Sequence, residues 1–279
     1  MTGWHSTWPA PAKLNLFLHV VGRRADGYHL LQTVFRFIDH GDRLRFSPAD
    51  GDAIVLATPL PGVPPEADLT VRAARLLREA SGTGHGVVIE VDKRLPMGGG
   101  LGGGSSDAAT TLIALNHLWG CGLPVTELEH LGLALGADVP VFIHGRNCFA
   151  EGVGERFRDL ELPPAWYLVT VPPTPVSTAA VFADPALPRA TRAIDPADWR
   201  PGFGGNDLEA VACRLAPEVA SHLAWLRARA PARMSGSGAC CFAEFGSEAE
   251  ARRARDRLPA GMDGFVARGL DRHPLAELT

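Results

Sequence analysis

Lysine and tyrosine are nearly absent from this sequence. Of its 27 basic residues only Lys13 and Lys93 are lysine, and only two of its 279 residues are tyrosine. Arginine stands at every other basic position, which with 31 glycines fits a GC-rich coding bias. A lysine that survives such a bias marks a place where a compact ammonium is wanted, since the planar guanidinium is no equivalent. Cysteine is scarce too: the five (121, 148, 213, 240 and 241) contain no Cys-x-x-Cys pair. Neither a disulfide framework nor a zinc site is expected, and a reducing cytoplasmic setting is. No basic stretch followed by an apolar run occurs early in the chain, so no export signal is expected. Long apolar runs are missing. The uncharged stretch 108–126 holds Asn116, His117 and two glycines, and 162–183 is broken by five prolines, so no membrane span is expected. Excess positive charge is missing as well: the net charge of −4 argues against nucleic acid or an anionic membrane as partner.

What remains is an ordinary globular composition, 46% apolar and 21% charged. The length suits two domains of roughly 100–150 residues. The proline-rich stretch 162–188 is their expected junction, giving residues 1–161 and 162–279. Residues 12–21 alternate, with Leu14, Leu16, Leu18 and Val20 on one side and Lys13, Asn15, Phe17 and His19 on the other, a strand pattern. A polar turn follows at 22–28, then strands at 33–38 and 42–46. A helix over 68–80 has Asp68 as its cap and Gly82 as its stop. A strand at 87–91 precedes the glycine cluster 98–104, which opens a helix carrying Ala108, Leu112, Leu115 and Trp119. Thr126 and Glu129 are spaced as a capping box for the next helix, which stops at Gly136. Later segments add a strand at 166–171, helices near 206–216 and 217–229, a strand at 240–245, a helix boxed by Ser247 and Glu250, and a strand at 264–268. The class is α+β.

The segment Leu95-Pro-Met-Gly-Gly-Gly-Leu-Gly-Gly-Gly-Ser-Ser-Asp107 lies between a strand and a strong helix. Glycines admit a close backbone approach, successive N–H groups form an anion nest, and a helix N-terminus adds positive potential. Gly98, Gly100 and Gly103 satisfy G-x-G-x-x-G, but a dinucleotide fold needs its turn directly off the strand and an acid at the end of a second strand. Here Asp92 to Met97 intervene, and Glu127 and Glu129 fall on a helix. A Walker A loop needs Gly-Lys-Ser/Thr, and no lysine follows these glycines. A flexible linker fits poorly between two regular elements. A phosphate loop of another type is the better reading.

Pro96 through Ser106 resembles the second motif of the GHMP kinase superfamily, with extra glycines inserted. That extended form is similar to the branch whose alcohol substrate carries a cytidine diphosphate group. Three further stretches agree with it: Pro11-Ala-Lys-Leu-Asn-Leu-Phe-Leu with Gly22-Arg-Arg-Ala-Asp-Gly-Tyr-His29, then Gly136-Ala-Asp-Val-Pro-Val-Phe142, then Met234-Ser-Gly-Ser-Gly-Ala239. The resemblance implies a two-domain GHMP architecture, an N-terminal ATP-binding domain and a C-terminal ferredoxin-like α/β sandwich; separately, a monomer or weak homodimer is expected. The resemblance also implies ATP and Mg2+, with the nucleotide held by Pro96, Met97, Gly98, Gly99, Gly100, Leu101, Gly102, Gly103, Gly104, Ser105 and Ser106. Asp138 matches the catalytic aspartate, although a carboxylate ahead of Pro140 would also serve as a helix cap. Lys13 matches the active-site lysine and shares a strand face with Asn15, which helps fix the substrate. Tyr28, Phe35 and Phe182 are implied to sandwich the cytosine, with His29 bonding its edge; Phe35 and Phe182 also read as core residues. Lys93 either lines the nucleotide pocket or forms a solvated pair with Arg94. Magnesium ligands are unassigned beyond Ser105 or Ser106.

Overall fold

The structure, a computed structural model, describes residues 3–60 and 62–279. Two long strands open it. β1 (Thr7–Arg23) and β2 (His29–Ala49) pair antiparallel across a tight polar turn. Residues 33–38 and 42–46, expected as separate strands, are parts of this one β2. Its polar Asp39-His40-Gly41 break is absorbed by a register shift opposite Pro11/Ala12, a bulge that bends the strand without ending it. A second irregularity between Asn15 and Leu18 interrupts the alternation of β1, and residues 10–18 are buried on both faces. Alternation of residue type here does not separate core from solvent.

β3 (Ile54–Leu56), α1 (Leu69–Ser81) and β4 (Gly86–Asp92) follow. Asp68 accepts from the Thr70 amide and Gly82 closes α1 in the left-handed region at φ 69°, as the cap and stop residues dictate. α2 (Gly103–Leu118) begins inside the glycine cluster. α3 (Val125–Leu135) departs from expectation at its start: its N-cap is Pro124 with no side-chain cap, so Thr126 already lies inside the helix. α4 (Val139–His144), β5 (Cys148–Glu151) and β6 (Arg156–Asp159) complete a six-stranded sheet in the order β3-β4-β2-β5-β6, with β1 on β2.

Beyond residue 160 come β7 (Trp166–Val171), α5 (Thr178–Ala183), α6 (Glu209–Leu215), α7 (Pro217–Arg227), β8 (Ala232–Met234), β9 (Cys241–Phe245), α8 (Glu248–Arg255) and β10 (Asp263–Arg268). They build a second, antiparallel sheet ordered β10-β7-β9-β8. Ser247 caps α8 as its spacing to Glu250 predicts. One apolar cluster, including Phe46, Val71, Leu112 and Ile143, fills the space between the first sheet and its helices. Another, including Val211, Leu223 and Met234, does so in the second half. A third joins Leu14, Phe17 and Val34 to Tyr167, Val169 and Phe242, so the halves share an apolar seam. No helix among the described residues is long and apolar enough to cross a membrane.

Candidate active site

The glycine cluster is shaped by what its carbonyls do. Cys240 donates its amide to the Gly99 carbonyl at 3.1 Å, and the Lys13 amide donates to that of Leu101 at 3.0 Å. The Gly100 carbonyl accepts from the Ser235 hydroxyl at 2.9 Å and from Lys13 Nζ at 3.2 Å. Leu101, 1% exposed, is driven into the apolar seam as an anchor. Gly100 and Gly102 both take φ 74°, a left-handed conformation that costs glycine nothing. A Cβ on Gly100 would land on the Ser235 carbonyl, and one on Gly102 would meet the Phe142 ring at 2.8 Å. α2 then starts with Gly102 as N-cap and no side-chain cap. Its first-turn amides keep their donors free for an anion, with the dipole behind them. These amides border a cavity of about 410 Å³ lined by residues 96–105, Lys93 and Asp107.

A larger cleft of about 700 Å³ meets that cavity at Gly98, Gly100 and Ser105. At the junction Lys13 Nζ lies 3.1 Å from Asp138 Oδ2 and donates to Asn15 Oδ1 at 2.6 Å. The lysine is 2% exposed and the carboxylate 37%: one partner is locked, the other faces the cleft. Asp138 occupies the N-cap position of α4 but makes no cap hydrogen bond. Asn15 is held in turn, its amide nitrogen donating to Thr33 Oγ1 at 2.9 Å. Lys13 Nζ also stands 5.4 Å from the Phe35 ring centroid, a cation–π distance.

Lys93 is not the solvated partner of Arg94, which pairs instead with Asp92. Its ammonium bridges Asp42 at 2.5 Å and Asp107 at 2.7 Å. Burial alone would lower the Lys93 pKa, but the two carboxylates outweigh it and raise it. Burial, helped by the nearby Asp42 charge, pushes Asp107 upward against the pull of Lys93. Asp42 also accepts the amides of Arg94 and Leu95. The cluster therefore clamps the start of the glycine segment to the first turns of α2. Ser106 is buried and donates to the Pro11 carbonyl at 2.7 Å, whereas Ser105 lines both cavities.

The far end of the cleft carries rings. Tyr28 is 63% exposed there, whereas Phe35, 2% exposed, sits deeper, on the Lys13 side of the cleft and packed into the first core. Phe182 reaches in from α5 and stacks on His29, centroids 5.0 Å apart at 29°. Arg189 donates from Nε to His29 Nε2 at 3.2 Å and to the carbonyls of Phe182, Asp184 and Leu187. Burial first, then the charges of Arg189 and Arg23, lower the His29 pKa. Thr178 and Ser237 meet by their hydroxyls at 2.7 Å on the same wall.

Asp42, Asp107, Arg189 and Thr178 had no visible role in the sequence, because each acts on a partner distant in the chain. The one local signal was Lys93 itself, a rare lysine whose burial demanded counter-charges.

Residues 68–146 match the family model described as GHMP kinases N terminal domain, and residues 190–264 the one described as GHMP kinases C terminal. The chain is 63% identical over 273 residues to a 4-diphosphocytidyl-2-C-methyl-D-erythritol kinase of Dechloromonas aromatica, covering 98% of this chain and 100% of that one. It is 59% identical to the protein of that name from Thiobacillus denitrificans, covering 96% of each. A crystal structure of 4-(cytidine 5'-diphospho)-2C-methyl-D-erythritol kinase superposes with TM-score 0.81 at 38% identity, over 95% of this chain and 99% of that one. A homoserine kinase from Cytophaga hutchinsonii, 17% identical with TM-score 0.66 over 96% of this chain and 94% of that one, shares the fold.

Proposed function

The chain belongs to the 4-diphosphocytidyl-2-C-methyl-D-erythritol kinases within the GHMP kinases, and from that premise we propose how its residues divide the work. The reaction is ATP-dependent phosphorylation of the 2-hydroxyl of 4-diphosphocytidyl-2-C-methyl-D-erythritol, giving the 2-phosphate and ADP, a step of the non-mevalonate isoprenoid route. The observation that carries the division is the Lys13–Asp138 contact at 3.1 Å, set where the glycine-loop cavity opens into the larger cleft. The α2 amides and the loop of residues 96–105 hold the ATP phosphates, while Lys93 braces the loop. The cytidyl end lies along Tyr28, His29, Phe35 and Phe182, and Asn15 steadies the alcohol.

Phosphoryl transfer needs position and charge more than covalent chemistry. Asp138 accepts the hydroxyl proton as the O–P bond forms, and Lys13 counters charge on the carboxylate and on the phosphoryl oxygens in flight. Among the described residues no cluster of three acid, histidine or cysteine side chains is set to hold a metal. The hard oxygens that fit Mg2+ are the Ser105 hydroxyl and the phosphates of ATP, and the ion would supply charge neutralisation there. We place the domain division at 161/162 and read the protein as a cytoplasmic enzyme, monomer or weak homodimer, with no nucleic-acid partner. Asp138→Asn is the test of roles. It is expected to lower kcat by about 10²–10⁴-fold with the ATP dissociation constant unchanged. Near-normal turnover would reduce Asp138 to a helix-start residue.

A further inference from the structure

His29 is held more tightly than a residue at a cleft rim requires. Arg189 reaches it with Nε–H, 3.2 Å from Nε2. A guanidinium N–H only donates, so Nε2 must accept, and the single proton of the neutral ring sits on Nδ1. A proton on Nε2 would set N–H against N–H. Burial and the positive charges of Arg189 and Arg23 also work against the imidazolium. The ring plane is fixed as well. Phe182 lies stacked on it, and Arg189 holds the Phe182 and Asp184 carbonyls with its other arm, at 3.0 and 2.7 Å. Nδ1 is left as the one ring nitrogen without a partner among the described residues, in a side chain that lines the 700 Å³ cleft.

We propose that Arg189 is a positioning residue which locks His29 as the Nδ1–H tautomer, so that the cleft presents a donor to a pyrimidine with an acceptor at ring N3. Cytosine has that acceptor; uracil carries N–H there and would face donor with donor. Arg189 thus acts on base choice through His29 without touching the base. The proposal rests on reading the cleft as the cytidyl site, and its test separates the two.

Imidazole nitrogen NMR on the full chain, with the His29 signals identified by their loss in His29→Asn, reads the tautomer directly. Nδ1–H in the free enzyme is expected; Nε2–H or an imidazolium near neutral pH overturns the lock. Kinetics with the cytidyl substrate and its uridyl counterpart then read its consequence. Arg189→Met should raise KM for the cytidyl substrate about 10–100-fold, as the loss of one well-placed buried hydrogen bond does. It should change kcat by less than about threefold and leave KM for ATP alone. The preference for cytidyl over uridyl should fall about tenfold or more, and Arg189→Lys, which still donates, should recover part of it. A preference unchanged in Arg189→Met, or a loss confined to kcat, contradicts the proposal. Should the wild type show Nδ1–H yet ignore the cytidyl substrate, the substrate reading fails and the lock stands.

Discussion

Lys13 has three ammonium hydrogens and three acceptors around it: Asn15 Oδ1, the Gly100 carbonyl and Asp138 Oδ2. At 2% exposure the ammonium depends on these three protein acceptors. Its stem is confined too, since a Cβ on Gly102 would come within 3.2 Å of Lys13 Cε. Arginine in this slot is longer, planar and unable to point three donors in those directions. Lys13→Arg should therefore lower kcat by at least about 100-fold, on the scale of removing one donor from a charge-stabilising site. Steady-state assay beside a thermal melt checks it; retained activity would show that any cation suffices. The rarity of lysine marks position 13 in the sequence by itself. Its neighbours Gly100 and Asp138 lie 87 and 125 residues away, a distance that local pattern does not bridge.

The element that makes the site is the glycine segment leading into α2, and its two ends respond differently to a methyl group. Gly100 has positive φ and its Cβ would overlap the Ser235 carbonyl, so Gly100→Ala should destabilise by about 1–3 kcal/mol and raise KM for ATP. Gly104 is helical, and its Cβ would only touch Leu69 Cδ1 at 3.4 Å. Gly104→Ala should leave stability within ~0.5 kcal/mol. Equal melting temperatures for the two variants would contradict this account of the loop. Elements with their own punctuation were legible beforehand: α1 between Asp68 and Gly82, α8 from Ser247. β2 was not, because a polar bulge imitates a strand end when the partner strand is unseen. The Thr126–Glu129 spacing imitates a capping box, but Pro124, two residues before Thr126, already stands at the helix start. Three-residue β8 carries too little pattern to detect, although the Met234–Ala239 loop it feeds was recognised from its motif.

At the scale of the whole molecule the site is a product of both halves. The first supplies Lys13, the glycine loop and Asp138; the second supplies the 235–240 loop that grips Gly99 and Gly100, and the α5 wall. Beside the seam that holds them together lies a charged misfit. Arg36 is fully buried on β2, and none of its guanidinium nitrogens has a hydrogen-bond partner among the described residues. A buried charge without a partner is a net cost. Arg36→Met should raise stability by about 1–2 kcal/mol and the melting temperature by roughly 2–4 °C, with kcat unchanged; a drop would mean that the guanidinium is paired through buried water. The assignment of the molecule itself turns on its substrate. ADP release by the wild-type chain should be fast with 4-diphosphocytidyl-2-C-methyl-D-erythritol and negligible with homoserine or mevalonate, alcohols phosphorylated on the same fold. Faster release with either of those, or none with the cytidyl alcohol, would contradict it.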